Sequence, residues 1–359
     1  MGRSQDPRCQ VALAVDRLPT TRYRGSKRKS SMAIGLALLG SRPTRLFDAF
    51  GGSGTVSLLA DQLEIPTQFS DIYTWVVGCA RTLLVHQYDR VDLADLLGAV
   101  DSAVIDARPG FISRTFRGCY FTSAENLELD GLSALYEQES CQAARDLILY
   151  GVAQAALAKL PMALFHRACL KQRVSPVERR NGNLSTWNTP FRVLVPHFMR
   201  EAAIFTWTRK LRHRVLLRDA TAAVPEIKSG EAIFLDPPYV SPDGHAPTYL
   251  ESYHFLEGFA VGVDDWQRGL RWGGSHPIFL DSARSNFETR DGWINGVASL
   301  ARAGRNGTVL GTARARDSPG ASDLRFLLVS SFRDVHRSVI SKRTIFTDRP
   351  NREYLFTAS

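Results

Sequence analysis

The tetrapeptide Asp236-Pro237-Pro238-Tyr239 contains the residue types that most directly suggest chemistry. It follows the apolar run Ala232-Ile-Phe-Leu235, which predicts a buried strand. Two consecutive prolines cannot continue a helix, so a rigid turn should present Asp236 and Tyr239 at the strand end. There the Asp236 carboxylate and the Pro237 carbonyl can each accept one N–H of an exocyclic amine, while Tyr239 stacks on the ring. These groups predict methylation of the amine of a flipped base.

A glycine loop and a following acid indicate a cofactor that carries a nucleoside. The strand-like run from Arg45 to Phe50 stops at Gly51-Gly-Ser-Gly54, after which apolar residues recur at helical spacing. Asp71 closes a second predicted strand 17 residues after Gly54, near the spacing at which a carboxylate binds ribose hydroxyls. Taken alone, the loop could be a tight turn and Asp71 a helix cap. Together they favour the cofactor interpretation.

Along most of its length the chain resembles the Dam-like, S-adenosylmethionine-dependent DNA adenine N6-methyltransferases. Asp236-Pro237-Pro238-Tyr239 matches the catalytic motif of that family at all four positions. Residues 23–29 (YRGSKRK) resemble its N-terminal motif, residues 48–54 (DAFGGSG) its cofactor loop, and residues 70–71 (SD) its Asn-Asp pair. Arg218-Asp219-Ala220 is similar to its Asp-Phe step, with Ala220 in place of the Phe.

The resemblance implies S-adenosylmethionine as the cofactor and assigns contacts to individual residues. Tyr23 and Lys27 would lie beside its methionine end, Asp71 would bind its ribose, and Asp219 would accept a hydrogen bond from its adenine. The implied cofactor-binding set is Tyr23, Lys27, Asp48, Phe50, Gly52, Gly54, Asp71, Asp219 and Ala220.

Shorter matches extend the resemblance into the middle and the end of the chain. Tyr120–Asn126 and Asn188–Phe191 look like parts of the helical target-recognition insertion of restriction-associated members. The resemblance as a whole implies double-stranded DNA as substrate, and it leaves open whether the protein has a cognate restriction endonuclease as partner. Asp323–Val329 resembles a late apolar strand of the family.

A basic cluster with one aromatic residue falls within this middle region. Clustered cations bind phosphates, and an aromatic side chain can support extrusion of a base. A solvated basic face is the competing interpretation. The nucleic-acid-binding candidates are Arg167, Lys171, Arg173, Arg179, Arg180 and Trp187.

Composition is consistent with a globular protein that has an anionic partner. The 359 residues are 44% apolar and 23% charged, which excludes disordered and collagenous classes. The net charge is +9; seven of the 45 basic residues are lysines and the other 38 are arginines, which suits phosphate binding but also fits codon bias. Five scattered cysteines without metal-ligand spacing, and no signal-peptide or membrane-spanning pattern, favour a cytoplasmic protein without a metal.

The order of predicted elements indicates an α/β fold, a doubly wound sheet with an inserted, mainly helical region. The resemblance implies that the sheet is a Rossmann-like class I methyltransferase sheet and that the insertion is a target-recognition domain. The prediction divides the chain into a loose lead-in (1–20), a catalytic domain (21–90 and 212–345), the insertion (91–211) and a tail (346–359). Besides the strands that carry the motifs, strands are predicted at 214–218, 277–281, 308–312 and 324–330.

Taken together, these features predict a site-specific DNA adenine N6-methyltransferase. Two alternatives stay open. The first is methylation of another exocyclic amine, at cytosine N4 in DNA or in an RNA base, because Asp-Pro-Pro-Tyr suits each of them. The second is a catalytically silent DNA-binding module with the same fold.

Overall fold

The computed structural model describes residues 6–175, 184–209, 211–239, 248–272, 276–280, 285–315, 317, 319–342 and 351–359. Its strands form one seven-stranded sheet and a separate two-stranded sheet. The strands are β1 (Leu46–Asp48), β2 (Thr67–Asp71), β3 (Arg214–Leu217), β4 (Ala232–Leu235), β5 (Leu270–Trp272), β6 (Pro277–Phe279), β7 (Thr308–Arg314), β8 (Val335–Lys342) and β9 (Asn351–Ala358).

The helices surround this sheet and fill the middle of the chain. The α-helices are α1 (Pro7–Asp16), α2 (Ser31–Ser41), α3 (Thr55–Gln62), α4 (Thr74–Leu84), α5 (Arg90–Ile105), α6 (Phe111–Thr115), α7 (Ser123–Gln138), α8 (Gln142–Lys159), α9 (Leu184–Asn188), α10 (Phe191–Trp207), α11 (Tyr249–Val261), α12 (Val263–Gly269), α13 (Arg290–Ala303) and α14 (Ala321–Val329). No helix among the described residues is long and apolar enough to cross a bilayer.

The large sheet has the strand order β3-β2-β1-β4-β7-β9-β8. β3, β2, β1, β4 and β7 are parallel, and β9 runs antiparallel to both β7 and β8. Chain order reverses between β1 and β4, which leaves a crevice at the carboxyl ends of these strands. The α/β class and the mostly parallel sheet predicted from the sequence are confirmed, and the arrangement is compatible with a Rossmann-like fold.

Alternation along β4 explains how the sheet is covered on both faces. Ile233 and Leu235 pack in one apolar cluster with α13 and α14, whereas Ala232 and Phe234 pack in another with α1, α2 and α3. Successive strand side chains point to opposite faces, so one short strand supplies both clusters.

The helices between residues 90 and 207 share a core with helices outside that range. One cluster joins α5, α7, α8 and α10 to α4, α11 and Phe69 of β2. The approach of α4 to α8 is close, since a Cβ added at Gly78 would lie 2.6 Å from Leu149. The predicted helical content of this region is confirmed, and its apolar core is continuous across the predicted boundary at residue 90.

The structure corrects four predictions made from the sequence. The lead-in (1–20) contains helix α1, whose Val11 and Ala14 are buried against α2 and α3. The tail (346–359) contains β9, and the strand predicted at 324–330 is helix α14. The strand predicted at 277–281 is β6, which pairs with β5 outside the large sheet; residues 281–284 are not among those described.

Candidate active site

A cleft of about 790 Å³ opens at the carboxyl ends of β1, β2, β3 and β4. Predicted site residues that line it are Tyr23, Lys27, Asp48, Phe50, Gly52, Asp71, Asp219, Ala220, Asp236 and Pro238. Gly54, Pro237 and Tyr239 lie next to lining residues in the chain. The fold therefore brings predicted site residues that are up to 215 positions apart in the sequence into one cleft.

The glycine loop passes too close to β2 for side chains. A Cβ added at Gly51 would lie 2.0 Å from the ring of Phe69. Gly52 and Gly54 have φ angles of +50° and +71°, which L side chains rarely adopt. Gly54 is also the N-cap of α3. The glycines are thus required by the backbone geometry of the loop and by its close approach to Phe69.

Asp71 fastens this loop to the end of β2. Its carboxylate accepts hydrogen bonds from the backbone N–H groups of Gly52 (3.0 Å) and Tyr73 (3.1 Å). Burial raises the pKa of Asp71 to about 6, although these backbone bonds act in the opposite direction. A carboxylate oxygen accepts more than one bond, so Asp71 can hold the loop and still bind a hydroxyl in the cleft.

Asp48 ends β1 beneath the cleft and is 1% exposed. The Ser57 hydroxyl donates a hydrogen bond to its Oδ2 at 2.7 Å. Burial raises its pKa to about 7, and the neighbouring carboxylates of Asp236 and Asp71 add to the shift. A cation bound in the cleft would favour the ionised form of both Asp48 and Asp71.

Asp219 is the N-cap of the 3-10 helix Ala220–Glu226. Its Oδ1 accepts hydrogen bonds from the backbone N–H (2.9 Å) and the hydroxyl (2.6 Å) of Thr221. This capping role orients the carboxyl group at the cleft wall. Ala220, where the resembling family has Phe, is buried directly after it.

Asp236 is held by three neighbours after the end of β4. Its Oδ2 forms an ion pair with the Lys27 ammonium. The Thr312 hydroxyl donates to its Oδ1 at 2.6 Å, and the Tyr239 hydroxyl lies 3.2 Å from the same oxygen. The Pro-Pro turn therefore presents Asp236 and Tyr239 side by side, as the sequence predicts.

Tyr239 has further neighbours to which the sequence assigned no role in the site. The Arg314 guanidinium lies 4.0 Å from the centre of its ring. The Glu353 carboxylate lies 3.1 Å from its hydroxyl. Both residues come from the β7–β9 pair, and no motif marks either of them. Only the alternating, aromatic-rich pattern of residues 351–358 could have indicated a strand there.

Tyr23 belongs to an aromatic cluster on one side of the cleft. Its ring stacks on those of Tyr249 and Tyr253, with centroids 5.6 and 5.0 Å away and planes 13° apart. Glu257 of α11 accepts hydrogen bonds from the backbone N–H groups of Thr74 (3.0 Å) and Trp75 (3.1 Å), which ties α11 to the start of α4. Tyr249 also lines the cleft and was missed in the sequence.

The predicted nucleic-acid-binding residues divide into different environments. Arg167 and Lys171 are exposed. Trp187 is half-buried, and its ring lies 5.8 Å from the Arg173 guanidinium. Arg179 and Arg180 lie outside the described residues.

Arg173 does not face solvent, contrary to the prediction. Its side chain is 3% exposed, and it donates to Glu125 (2.6 and 2.8 Å) and to the Trp187 carbonyl (3.0 Å). Lys159 also pairs with Glu125, at 2.6 Å. A carboxylate in a buried position needs such partners, so Glu125 recruits both cations.

Within the described residues, no group of three or more His, Cys, Asp or Glu side chains is placed to hold a metal ion. The cleft itself is lined by five carboxyl groups and three basic side chains. The carboxyl groups belong to Asp48, Asp71, Asp219, Asp236 and Glu288, and the basic groups to Arg24, Lys27 and Arg218. This excess of acids suits a ligand that carries positive charge.

Comparison with known proteins finds no protein-family model and no curated protein that matches this chain. Its candidate function therefore depends on the geometry and chemistry of the cleft.

Proposed function

We propose that this protein transfers a methyl group from S-adenosylmethionine to N6 of an adenine flipped out of duplex DNA. The observation that carries the proposal is that Asp236 of the Asp-Pro-Pro-Tyr turn lines the same cleft as the glycine loop and Asp71. A group that can bind an amine thus adjoins groups that can bind a nucleoside.

The residues of the cleft fit this cofactor in charge and in donor type. Asp71 would bind the ribose, Asp219 the adenine amine, and Tyr23 and Lys27 the methionine end. The cleft's excess of carboxyl groups favours a sulfonium cation. When bound, S-adenosylmethionine would supply a methyl group on a positively charged sulfur; an amine lone pair can attack the methyl carbon, with S-adenosylhomocysteine as the leaving group and one N–H proton lost from the methylated amine.

The Asp-Pro-Pro-Tyr turn supplies the groups that act on the substrate amine. Adenine N6 is a weak nucleophile because its lone pair is delocalised into the ring. The Asp236 carboxylate and the Pro237 carbonyl would accept its two N–H bonds, which draws the nitrogen towards a tetrahedral geometry. Tyr239 would stack on the base, with one face of its ring at most, because Arg314 covers the other.

A base stacked in a duplex cannot reach this cleft, so the proposal requires base flipping. Flipping costs a few kcal/mol, which stacking and contacts to the DNA backbone offset. Among the described candidates, exposed Arg167 and Lys171 can make such phosphate contacts. Arg173 is excluded from that role by its pairing with Glu125.

Product analysis tests the proposal. The protein is incubated with S-adenosylmethionine carrying a labelled methyl group and with duplex DNA, and the hydrolysed DNA is searched for N6-methyladenine. We expect labelled N6-methyladenine with the wild type and at least a hundredfold less with Asp236→Ala.

Other outcomes distinguish the alternatives. Labelled N4-methylcytosine, or label in RNA alone, would assign a different acceptor to the same chemistry. Salt-sensitive DNA binding without methylation, unchanged in Asp236→Ala, would instead indicate a DNA-binding module without this activity.

A further inference from the structure

Glu353 is a buried carboxylate that reaches the candidate active site from β9. It pairs in register with Arg314 of β7 and with Ile340 of β8, and the residue is 1% exposed. Its Oε1 lies 3.1 Å from the Tyr239 hydroxyl oxygen and 3.4 Å from the Lys27 Nζ. A buried carboxylate is costly unless it is paired. These two contacts place that pairing at the Asp-Pro-Pro-Tyr turn.

The Tyr239 hydroxyl has two carboxylates within reach. Its oxygen is 3.2 Å from Asp236 Oδ1 and 3.1 Å from Glu353 Oε1. Burial raises the pKa of Tyr239, so the hydroxyl stays protonated and has one proton to donate. When it donates to Glu353, Asp236 Oδ1 is released from the tyrosine and keeps its bond from Thr312 (2.6 Å).

The Lys27 ammonium is shared in the same way. It forms an ion pair with Asp236 and lies 3.4 Å from Glu353. The Arg314 guanidinium lies over the Tyr239 ring. Two carboxylates and two cations thus surround one aromatic ring. Lys27 also donates to the Gly25 carbonyl (3.0 Å) and lies 3.3 Å from the Tyr239 hydroxyl oxygen. Without the Glu353 charge, Lys27 would lose its second carboxylate partner and would hold more tightly to the Asp236 oxygen that the substrate amine needs.

We propose that Glu353 is a positioning residue for amine methylation, which keeps Asp236 available by accepting the Tyr239 hydrogen bond and by sharing Lys27. This inference rests on the proposed function. Glu353 acts through Tyr239 and Lys27 and exchanges no atoms with the substrate. The C-terminal strand is therefore part of the reaction site as well as of the sheet.

The test compares Glu353→Gln with a matched control, Glu231→Gln. Glu231 is also a buried glutamate, and its Oε1 lies 2.8 Å from Arg45 Nη2, at the opposite end of β4 from Asp236. For each protein, kcat, the KM values for S-adenosylmethionine and DNA, the thermal unfolding midpoint and the affinity for S-adenosylhomocysteine are measured.

For Glu353→Gln we expect a 10- to 100-fold lower kcat, with both KM values and the S-adenosylhomocysteine affinity within about threefold of the wild type. Glu353→Asp should regain part of kcat because it restores the charge. Glu231→Gln should keep the wild-type kcat even if it unfolds at a lower temperature.

The possible results distinguish a positioning role of Glu353 from a merely structural one. A folded Glu353→Gln variant with the wild-type kcat overturns the inference and leaves the proposed function intact. An equal loss of kcat in Glu231→Gln also overturns it, because the effect would then be general. A wild type that methylates neither DNA nor RNA overturns both proposals.

A crystal structure of the wild type with S-adenosylhomocysteine gives a readout that does not depend on how the variants fold. We expect the Tyr239 hydroxyl oxygen within hydrogen-bond distance of Glu353. A structure in which Glu353 contacts neither Tyr239 nor Lys27 overturns the inference.

Discussion

Two carboxyl groups at the cleft are buried deeply enough that their pKa values lie well above the usual range of an aspartate. Asp48 and Asp71 have pKa values raised to about 7 and about 6, in both cases chiefly by burial. Each therefore links its protonation to folding and to the charge of any ligand in the cleft. These links give two predictions that do not require catalysis.

The first prediction concerns the stability of the protein without a ligand. Unfolded Asp48 would ionise near pH 3.9, so between about pH 4 and 7 the folded protein retains a proton that the unfolded chain has lost. The free energy of unfolding should then fall as pH rises through this window, by about 4 kcal/mol in all. Denaturant titrations at several pH values should show that the free energy of unfolding of Asp48→Asn falls less steeply with rising pH than that of the wild type.

Asp264→Asn, at an exposed position on α12, controls for the loss of one charge. It should retain the pH dependence of the wild type. Parallel curves for Asp48→Asn and the wild type would contradict the prediction.

The second prediction concerns how the affinity for a positively charged ligand depends on pH. As Asp48 and Asp71 ionise between pH 5 and 8, the cleft gains negative charge. The affinity for S-adenosylmethionine should rise over this range by about tenfold more than that for S-adenosylhomocysteine, which lacks the sulfonium charge. Calorimetric titrations of both ligands at matched pH values measure the difference. The same pH dependence for both ligands would count against a cation-binding cleft.

At the level of elements, the strand ends with their loops were the most predictable feature, because local residue chemistry determines them. The sequence located β1, β2 and β4 and the acids at or directly after their carboxyl ends. It failed at 324–330, where an apolar run fits either a strand or a helix. There Leu324 and Leu328 are buried four residues apart while Phe326 is 73% exposed, a helical pattern that packing against β7 selects.

The glycine loop yields a prediction about local packing. Gly51→Ala should destabilise the protein by at least about 2 kcal/mol, because the added Cβ would meet the Phe69 ring. Gly98→Ala is the matched control, since Gly98 is exposed on α5 with no atom within 4 Å of the added Cβ. This change should be neutral or stabilise the helix by about 1 kcal/mol. Chemical denaturation measures both, and equal effects would contradict the account of the loop.

The segment after α8 yields a prediction that separates structural from surface arginine and lysine residues. Arg173→Met should lower the free energy of unfolding by about 3 kcal/mol, because it leaves part of the Glu125 charge uncompensated. Lys171→Met, at an exposed position, should leave stability unchanged and reduce the salt dependence of DNA binding. Unfolding curves and DNA-binding measurements at several salt concentrations test both variants. If only Arg173→Met reduced the salt dependence of DNA binding, Arg173 would be the DNA-contacting residue and Lys171 would not.

At the level of the whole molecule, both ends of the chain were mispredicted for the same physical reason. Neither α1 nor β9 carries a motif, and each is stabilised by partners distant in sequence. Val11 and Ala14 pack on α2 and α3, and β9 pairs with β7 and β8. Glu353 was missed for this reason, since its neighbours Lys27 and Tyr239 are distant in sequence. The pattern of residues 351–358 is typical of a strand, but an element's own residues do not identify partners that are distant in sequence.

Removal of residues 351–359 should therefore prevent formation of the native sheet. The deletion leaves the β7 edge unpaired and separates β8 from the rest of the sheet. We expect an aggregated product or loss of a cooperative unfolding transition, measured by size-exclusion chromatography and circular dichroism. Arg352→Ala, which changes an exposed side chain on the same strand, should remain folded. A deleted protein that still unfolds cooperatively would contradict this role of β9.

The position of β9 also imposes an order on synthesis. The ribosome makes β7 and β8 before it makes the strand that lies between them, so a nascent chain can complete the parallel part of the sheet while that gap is still open. Asp236 is then already present, but the carboxylate that shares Lys27 with it is not. The charge network around Tyr239 becomes complete only when β9 enters the sheet, so assembly of the site must follow the synthesis of all the strands that precede β9 in the chain.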